Sequence, residues 1–121
     1  MHEMGLADAM MKTVNRLVRD EGDVVVRSIT VELGDLSGVV PRFLAECWKA
    51  VTDGTPFADT ELILHSVPAT AKCLDCGETF VIRTDDLRCP LCRSDKLKPL
   101  SGQDMTIAEI EVFDREDPVE T

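Results

Sequence analysis

Four cysteines stand in two pairs, Cys73 with Cys76 and Cys89 with Cys92, giving the pattern C-x2-C, twelve residues, C-x2-C. Each pair falls on a tight turn, with Gly77 following the first and Pro90 inside the second. Such a knuckle aims two sulfurs at one point, and two knuckles complete a tetrahedral all-sulfur site, the preferred geometry of structural zinc. Four thiolates leave no open coordination position, so hydrolytic zinc chemistry is not expected. A segment of about 30 residues buries too little surface to fold without such a staple. A redox-active C-x-x-C and an iron site are the rival readings. Two pairs without a βαβ context favour the metal over the redox role.

A second constellation lies at the N-terminus, Met1-His2-Glu3. A bulky second residue should leave Met1 in place. Its free amine, the backbone nitrogen of His2 and the His2 imidazole can then chelate one ion in fused rings. The backbone nitrogen of Glu3, or its carboxylate, can add a fourth donor. Amide nitrogens in a plane favour Ni(II) or Cu(II) over tetrahedral Zn(II). A solvated terminal histidine would look the same, and these residues by themselves leave both readings open.

Two further candidates have quieter explanations. Cys47 lies on the apolar face of a helix beside Trp48, where a free cysteine acts as a small hydrophobe. His65 falls within a strand, between Leu64 and Ser66, as a surface or half-buried histidine.

The elements that must position these groups can be read from periodicity. From Met4 to about Arg19 apolar residues follow helical spacing. Met4, Ala7, Met11, Val14 and Val18 form one stripe, Met10 and Leu17 widen it, and Gly22 ends it. Asp23 to Leu33 reads as a strand in which Ile29, Val31 and Leu33 alternate with Ser28, Thr30 and Glu32. A turn from Gly34 to Gly38 leads to a helix that begins near Pro41 and stops at Asp53 and Gly54. Val40, Leu44, Cys47, Trp48 and Val51 share its apolar face, with Phe43 beside them. Glu61 to Val67 is a second strand, and Thr106 to Phe113 a third whose Glu109 and Glu111 face outward. Between these two strands the chain changes character, and only Phe80, Val81 and Ile82 suggest a strand. The expectation is an α+β fold, two helices packed on a three-stranded sheet, with an inserted zinc-ribbon-like four-cysteine domain. The expected boundaries are 1–69 and 101–114 for the α+β domain, 70–100 for the zinc domain and 115–121 for a mobile acidic tail.

Composition narrows the partners. The 121 residues carry a formal net charge of −10, which repels phosphate backbones and disfavours nucleic acid and anionic membranes. It suits a cation carrier or a protein that docks on a basic surface, and equally suits solubility alone. No apolar run approaches the roughly 20 residues of a membrane span. Glu3 and Asp8 interrupt the first apolar residues, unlike a signal peptide. Five cysteines in this arrangement point to a reducing cytoplasm.

The start MHEMGLADAM, the segments VELGDLSGVVP and DGTPFADTELIL, the knuckles KCLDCG and CPLC, and SGQDMTIAEIEV closely resemble the HypA/HybF family of hydrogenase maturation proteins. The resemblance runs in order from Met1 to about Val112. It implies nickel held by His2 with the Met1 amine and Glu3, and structural zinc on Cys73, Cys76, Cys89 and Cys92. It implies nickel delivery to the large subunit of a [NiFe] hydrogenase together with the GTPase HypB. It also places Asp35 at an acidic position near the nickel site, although Asp35 can equally shape its turn. The expected protein is a cytoplasmic nickel metallochaperone, monomer or weak homodimer, and no enzyme. The alternative is a zinc-ribbon protein-interaction adaptor that carries no nickel.

Overall fold

A computed structural model describes residues 2–83 and 85–115. The chain begins with helix α1 (His2–Val18), which runs through a short 3-10 turn (Arg19–Glu21) to Gly22 at a φ of 89°. Strand β1 (Val24–Gly34), helix α2 (Pro41–Thr52) and strand β2 (Glu61–Val67) follow. Three short strands come next, β3 (Thr70–Cys73), β4 (Thr79–Val81) and β5 (Leu97–Ser101), and then the long strand β6 (Met105–Asp114). They form two three-stranded sheets, one ordered β2-β1-β6 and the other β4-β3-β5. The second sheet thus lies in sequence between two strands that flank β1. This is the expected α+β fold with an inserted four-cysteine lobe.

The chain divides into two compact units. Among the described residues one holds 2–31, Val39–Leu64 and 107–115. The other holds Glu32–Gly38 and His65–Thr106.

In the first unit α1 packs on α2. The buried face of α1 is Glu3, Ala7, Met10 and Val14, and α2 contributes Leu44, Cys47 and Trp48. Ala7 and Val14 belong to the expected stripe and Met10 to its margin, whereas Glu3 was not expected there. Met4 and Leu17 are exposed, and Met11 and Val18 are half-buried. Methionine occurs at positions 4, 10 and 11, on several sides of the helix, so hydropathy alone marks the buried face poorly. On β1, Ile29, Val31 and Leu33 are buried as expected. Ser28, expected on the wet face, is also buried, and its hydroxyl donates to the Glu111 carboxylate at 3.3 Å. Trp48 Nε1 donates to the carbonyl of Thr60 at 3.1 Å, and the Thr60 hydroxyl donates to that of Val26 at 2.8 Å. These two bonds tie α2 to β1 through the loop between α2 and β2.

α2 has Pro41 in its first turn and no cap from its own N-cap residue, Val40. The carboxylate of Glu3 accepts the Val40 N–H instead, at 3.3 Å. A carboxylate there favours the positive end of the helix dipole.

In the second unit, β3 pairs antiparallel with both β4 and β5, with a bulge between Thr70 and Ala71 on the β5 side. One face of this sheet carries a small core of Ala69, Ala71 and Ile82, packed by Leu36, Phe80 and Leu97. β3 and β5 show little apolar periodicity and were not anticipated, since cysteine, lysine and proline occupy positions that strands usually give to β-branched residues. The turn after β1 is pinned by three backbone bonds: Gly34 N–H to Asp104, Asp35 N–H to Val67 and Leu36 N–H to Gly102, at 2.8–2.9 Å.

Candidate metal centres

The four knuckle cysteines converge. Their sulfurs all lie within 4.8 Å of one another, with Cys73 to Cys92 at 3.5 Å and Cys76 to Cys89 at 3.6 Å. A tetrahedron of sulfurs about 2.3 Å from a zinc ion has edges of roughly 3.8 Å. The donor set therefore fits a single four-coordinate thiophilic ion. Cys73 and Cys89 are buried, and Cys76 and Cys92 are exposed.

Local chain geometry builds the two halves alike. Gly77 N–H bonds to the carbonyl of Cys73, and Arg93 N–H to that of Cys89, both at 2.9 Å. Each closing residue has positive φ, 80° for Gly77 and 63° for Arg93. The halves are joined by Ser94, whose hydroxyl donates to the Asp75 carboxylate of the first knuckle. The carbonyl of Ser94 accepts the Cys89 N–H at 3.0 Å.

Electrostatics separate the sulfurs. The backbone N–H of Cys76 points at the Cys73 sulfur, and this is the main reason that Cys73 is lowered to about 7. The Cys92 N–H likewise lowers Cys89. The Ser94 N–H pulls Cys92 down, but the sulfurs of Cys73, Cys89 and Cys76, with desolvation, push it up to about 12. Cys76 ends raised as well, since burial and the sulfurs of Cys89 and Cys73 outweigh the Glu78 N–H. Four thiolates this close repel one another, and a divalent cation at their centre turns that repulsion into attraction. Bound there, zinc would act as a cross-link.

The other sequence candidates are not gathered by this site. Met1 lies outside the described residues, as does the His2 side chain, although the His2 backbone opens α1. Glu3 is buried, with its carboxylate at the start of α2. Asp35 is exposed and belongs to the second unit, whereas Glu3 belongs to the first. His65 is exposed on β2. Cys47 packs in the core of the first unit and, with Met4, Phe43 and Glu46, lines an apolar groove of about 460 Å³. The tail from residue 116 lies outside the described residues. Sequence reasoning missed the joining role of Ser94 and the cap formed by Glu3. An acidic residue early in one helix carries no signal that it will cap another.

Fold and site together define a small mixed α+β protein with an inserted tetrathiolate metal site. Residues 1–112 match the family model described as hydrogenase/urease nickel incorporation, metallochaperone, hypA. The chain belongs to the HypA family. It is 33% identical over 118 residues to a hydrogenase maturation factor HypA of Desulfatibacillum aliphaticivorans, covering 97% of this chain and 91% of that one. It is 35% identical over 112 residues to one from Rhodopseudomonas palustris strain TIE-1, covering 93% and 99%. Its fold matches the solution structure of the Ni metallochaperone HypA from Helicobacter pylori with a TM-score of 0.65 and 15% identity, over 93% of this chain and 98% of that one.

Proposed function

We propose that this protein is a nickel metallochaperone that binds Ni(II) at Met1, His2 and Glu3 and delivers it during maturation of a [NiFe] hydrogenase. The observation that carries this reading is the family match, which extends from residue 1 to 112 and so includes the Met-His-Glu start. The fold supports it. α1 begins at His2, and the first four N–H groups of a helix have no intrahelical acceptor. The backbone nitrogens of His2 and Glu3 can therefore pass to a metal without breaking a helical bond. The Glu3 carboxylate is already engaged at α2, which favours the Glu3 backbone nitrogen as the fourth donor.

Zinc on Cys73, Cys76, Cys89 and Cys92 is structural in this reading. Residues 1–69 and 101–114 serve nickel, and residues 70–100 serve zinc. The family resemblance is what suggests Asp35 as a further acidic residue serving nickel. Nickel passes to the hydrogenase large subunit with the help of a HypB-type GTPase, in the cytoplasm, from a monomer or weak homodimer. A terminal chelate suits transfer, because a recipient can replace its donors one at a time. The protein performs no chemistry of its own.

The test is metal analysis of untagged wild-type and His2→Ala protein after nickel loading. The wild type should hold nickel in a square-planar spectrum and zinc at one ion per chain. His2→Ala should lose tight nickel binding and keep zinc and fold. A variant that takes up nickel with wild-type affinity places the site elsewhere. A wild type that holds zinc and ignores nickel is the adaptor instead.

A further inference from the structure

We infer that the outer face of the β4-β3-β5 sheet is a docking surface for an acidic protein segment, independent of the N-terminal nickel reading.

The inference begins with charge. Between Thr70 and Ser101 six basic side chains accompany five acidic ones, so even with four thiolates and a zinc ion counted the lobe carries only about −1, and most of the chain's negative charge lies outside it. Within the lobe two cations are already answered. Arg93 forms a bidentate pair with Asp86 at 2.8 and 3.3 Å, and Arg83 pairs with Asp85 at 2.8 and 3.1 Å. Lys72, Lys96 and Lys98 are exposed, and none is ion-paired among the described residues.

Their placement follows from register. Lys72 on β3 stands directly opposite Lys98 on β5. Directly opposed residues of antiparallel strands point to the same face, and like charges so opposed destabilise the pair. The N–H of Leu74 bonds to the Lys96 carbonyl at 2.8 Å, which continues the pairing by one more step. Lys96 and Lys98 are two residues apart, so they too share a face. Thr79, opposite Lys72, and Val81, opposite Thr70, extend that face onto β4. Its strand positions hold no carboxylate. Its apolar members, Leu74 and Val81, are each 62% exposed. The opposite face holds the small core.

Edge protection explains part of this pattern. β5 is an edge strand, and lysine together with Pro99 deters further strand pairing. Lys72 lies on the central strand, where that explanation does not apply. Three free ammonium groups beside two exposed aliphatic side chains complement a segment with carboxylates at alternate positions and aliphatic residues between them. The negative charge of the remaining chain repels long polyanions such as nucleic acid and anionic membranes more strongly than a short segment with few carboxylates, and nucleic acid offers no aliphatic groups to Leu74 and Val81.

The test titrates the zinc-loaded full chain at low salt, followed by NMR, with a short peptide of glutamates alternating with valine and serine. Duplex DNA and phosphatidylserine vesicles are run in parallel. Expected are shifts centred on Lys72, Leu74, Val81, Lys96 and Lys98, lost at high salt and absent with a lysine-for-glutamate peptide. Lys72→Gln with Lys98→Gln should weaken peptide binding by about tenfold or more. That variant should keep its zinc and melt no lower than wild type, since a repulsive pair has gone. Lys96→Gln alone should weaken binding by a smaller factor, and it serves if the double variant misfolds. Absence of peptide binding, unchanged affinity in the variants, or shifts elsewhere would overturn the inference. Lysine-dependent binding of DNA or vesicles tighter than that of the peptide would overturn it as well.

Discussion

Glu3 accepts the backbone N–H of Val40 at 3.3 Å, across 37 residues of sequence. One of the three proposed nickel-site residues therefore also caps the second helix, so its side chain serves the fold. A substitution there must be read for both effects.

Glu3→Ala should lower the stability of the nickel-free protein by about 1–2 kcal/mol, the usual cost of a lost cap. Glu3→Gln retains an acceptor oxygen and should cost less. Urea unfolding without nickel measures both. Nickel affinity of Glu3→Gln should stay within a few-fold of wild type, and a large loss would assign the carboxylate as a ligand.

A Cβ on Gly34 would stand 2.2 Å from the carbonyl oxygen of Gly102, and one on Gly102 would stand 2.3 Å from the Cα of Ala69. Gly102 also has a φ of 85°. All these atoms are backbone, which cannot rotate away. Gly102→Ala and Gly34→Ala should each cost about 3 kcal/mol or more, through overpacking and, at Gly102, strain. Gly77→Ala meets no such neighbour and should cost less. Thermal unfolding of the three variants gives the order.

Zinc binding should weaken as pH falls below neutrality. Cys73 in the metal-free lobe sits at about 7, so below that value even this favoured thiolate takes up its proton. Protons then compete with the metal at every sulfur. Retention against a chelator should be full in mild alkali and decline steadily in acid. Retention that does not change with pH contradicts the four-thiolate site. Cys73→Ala should lose zinc at every pH and loosen residues 70–100.

Arg93 occupies the left-handed position that Gly77 fills in the first knuckle. Arg93→Gly should hold zinc at least as long as wild type, because relief of about 1 kcal/mol of backbone strain offsets a lost exposed ion pair. Arg93→Val, β-branched at positive φ, should release zinc sooner than either. Chelator kinetics rank the three, and a longer-lived Val variant refutes the strain argument.

Much of this architecture was visible in sequence where periodicity or spacing was strong. The strand at Glu61–Val67 matches its expected limits, and the two helices and the strands ending in Gly34 and Asp114 match theirs within two residues. The helices repeat apolar residues over three turns or more, and the strands are rich in β-branched residues. β3 and β5 were not visible, because their pairing depends on partners 7–31 residues away rather than on their own composition.

The sequence by itself determined which atoms are able to bind metal, since donor type and C-x2-C spacing are covalent facts. It also made Met1, His2 and Glu3 candidate nickel donors, and left open whether they form a chelate or a solvated terminus. Tertiary structure alone decided the rest: that the four sulfurs come within 4.8 Å, that Glu3 spends its carboxylate on α2, and that Lys72 faces Lys98. The physical reason is range. Spacing constrains neighbours a turn apart, whereas contacts between distant segments follow from strand register and helix packing, which the whole chain settles together.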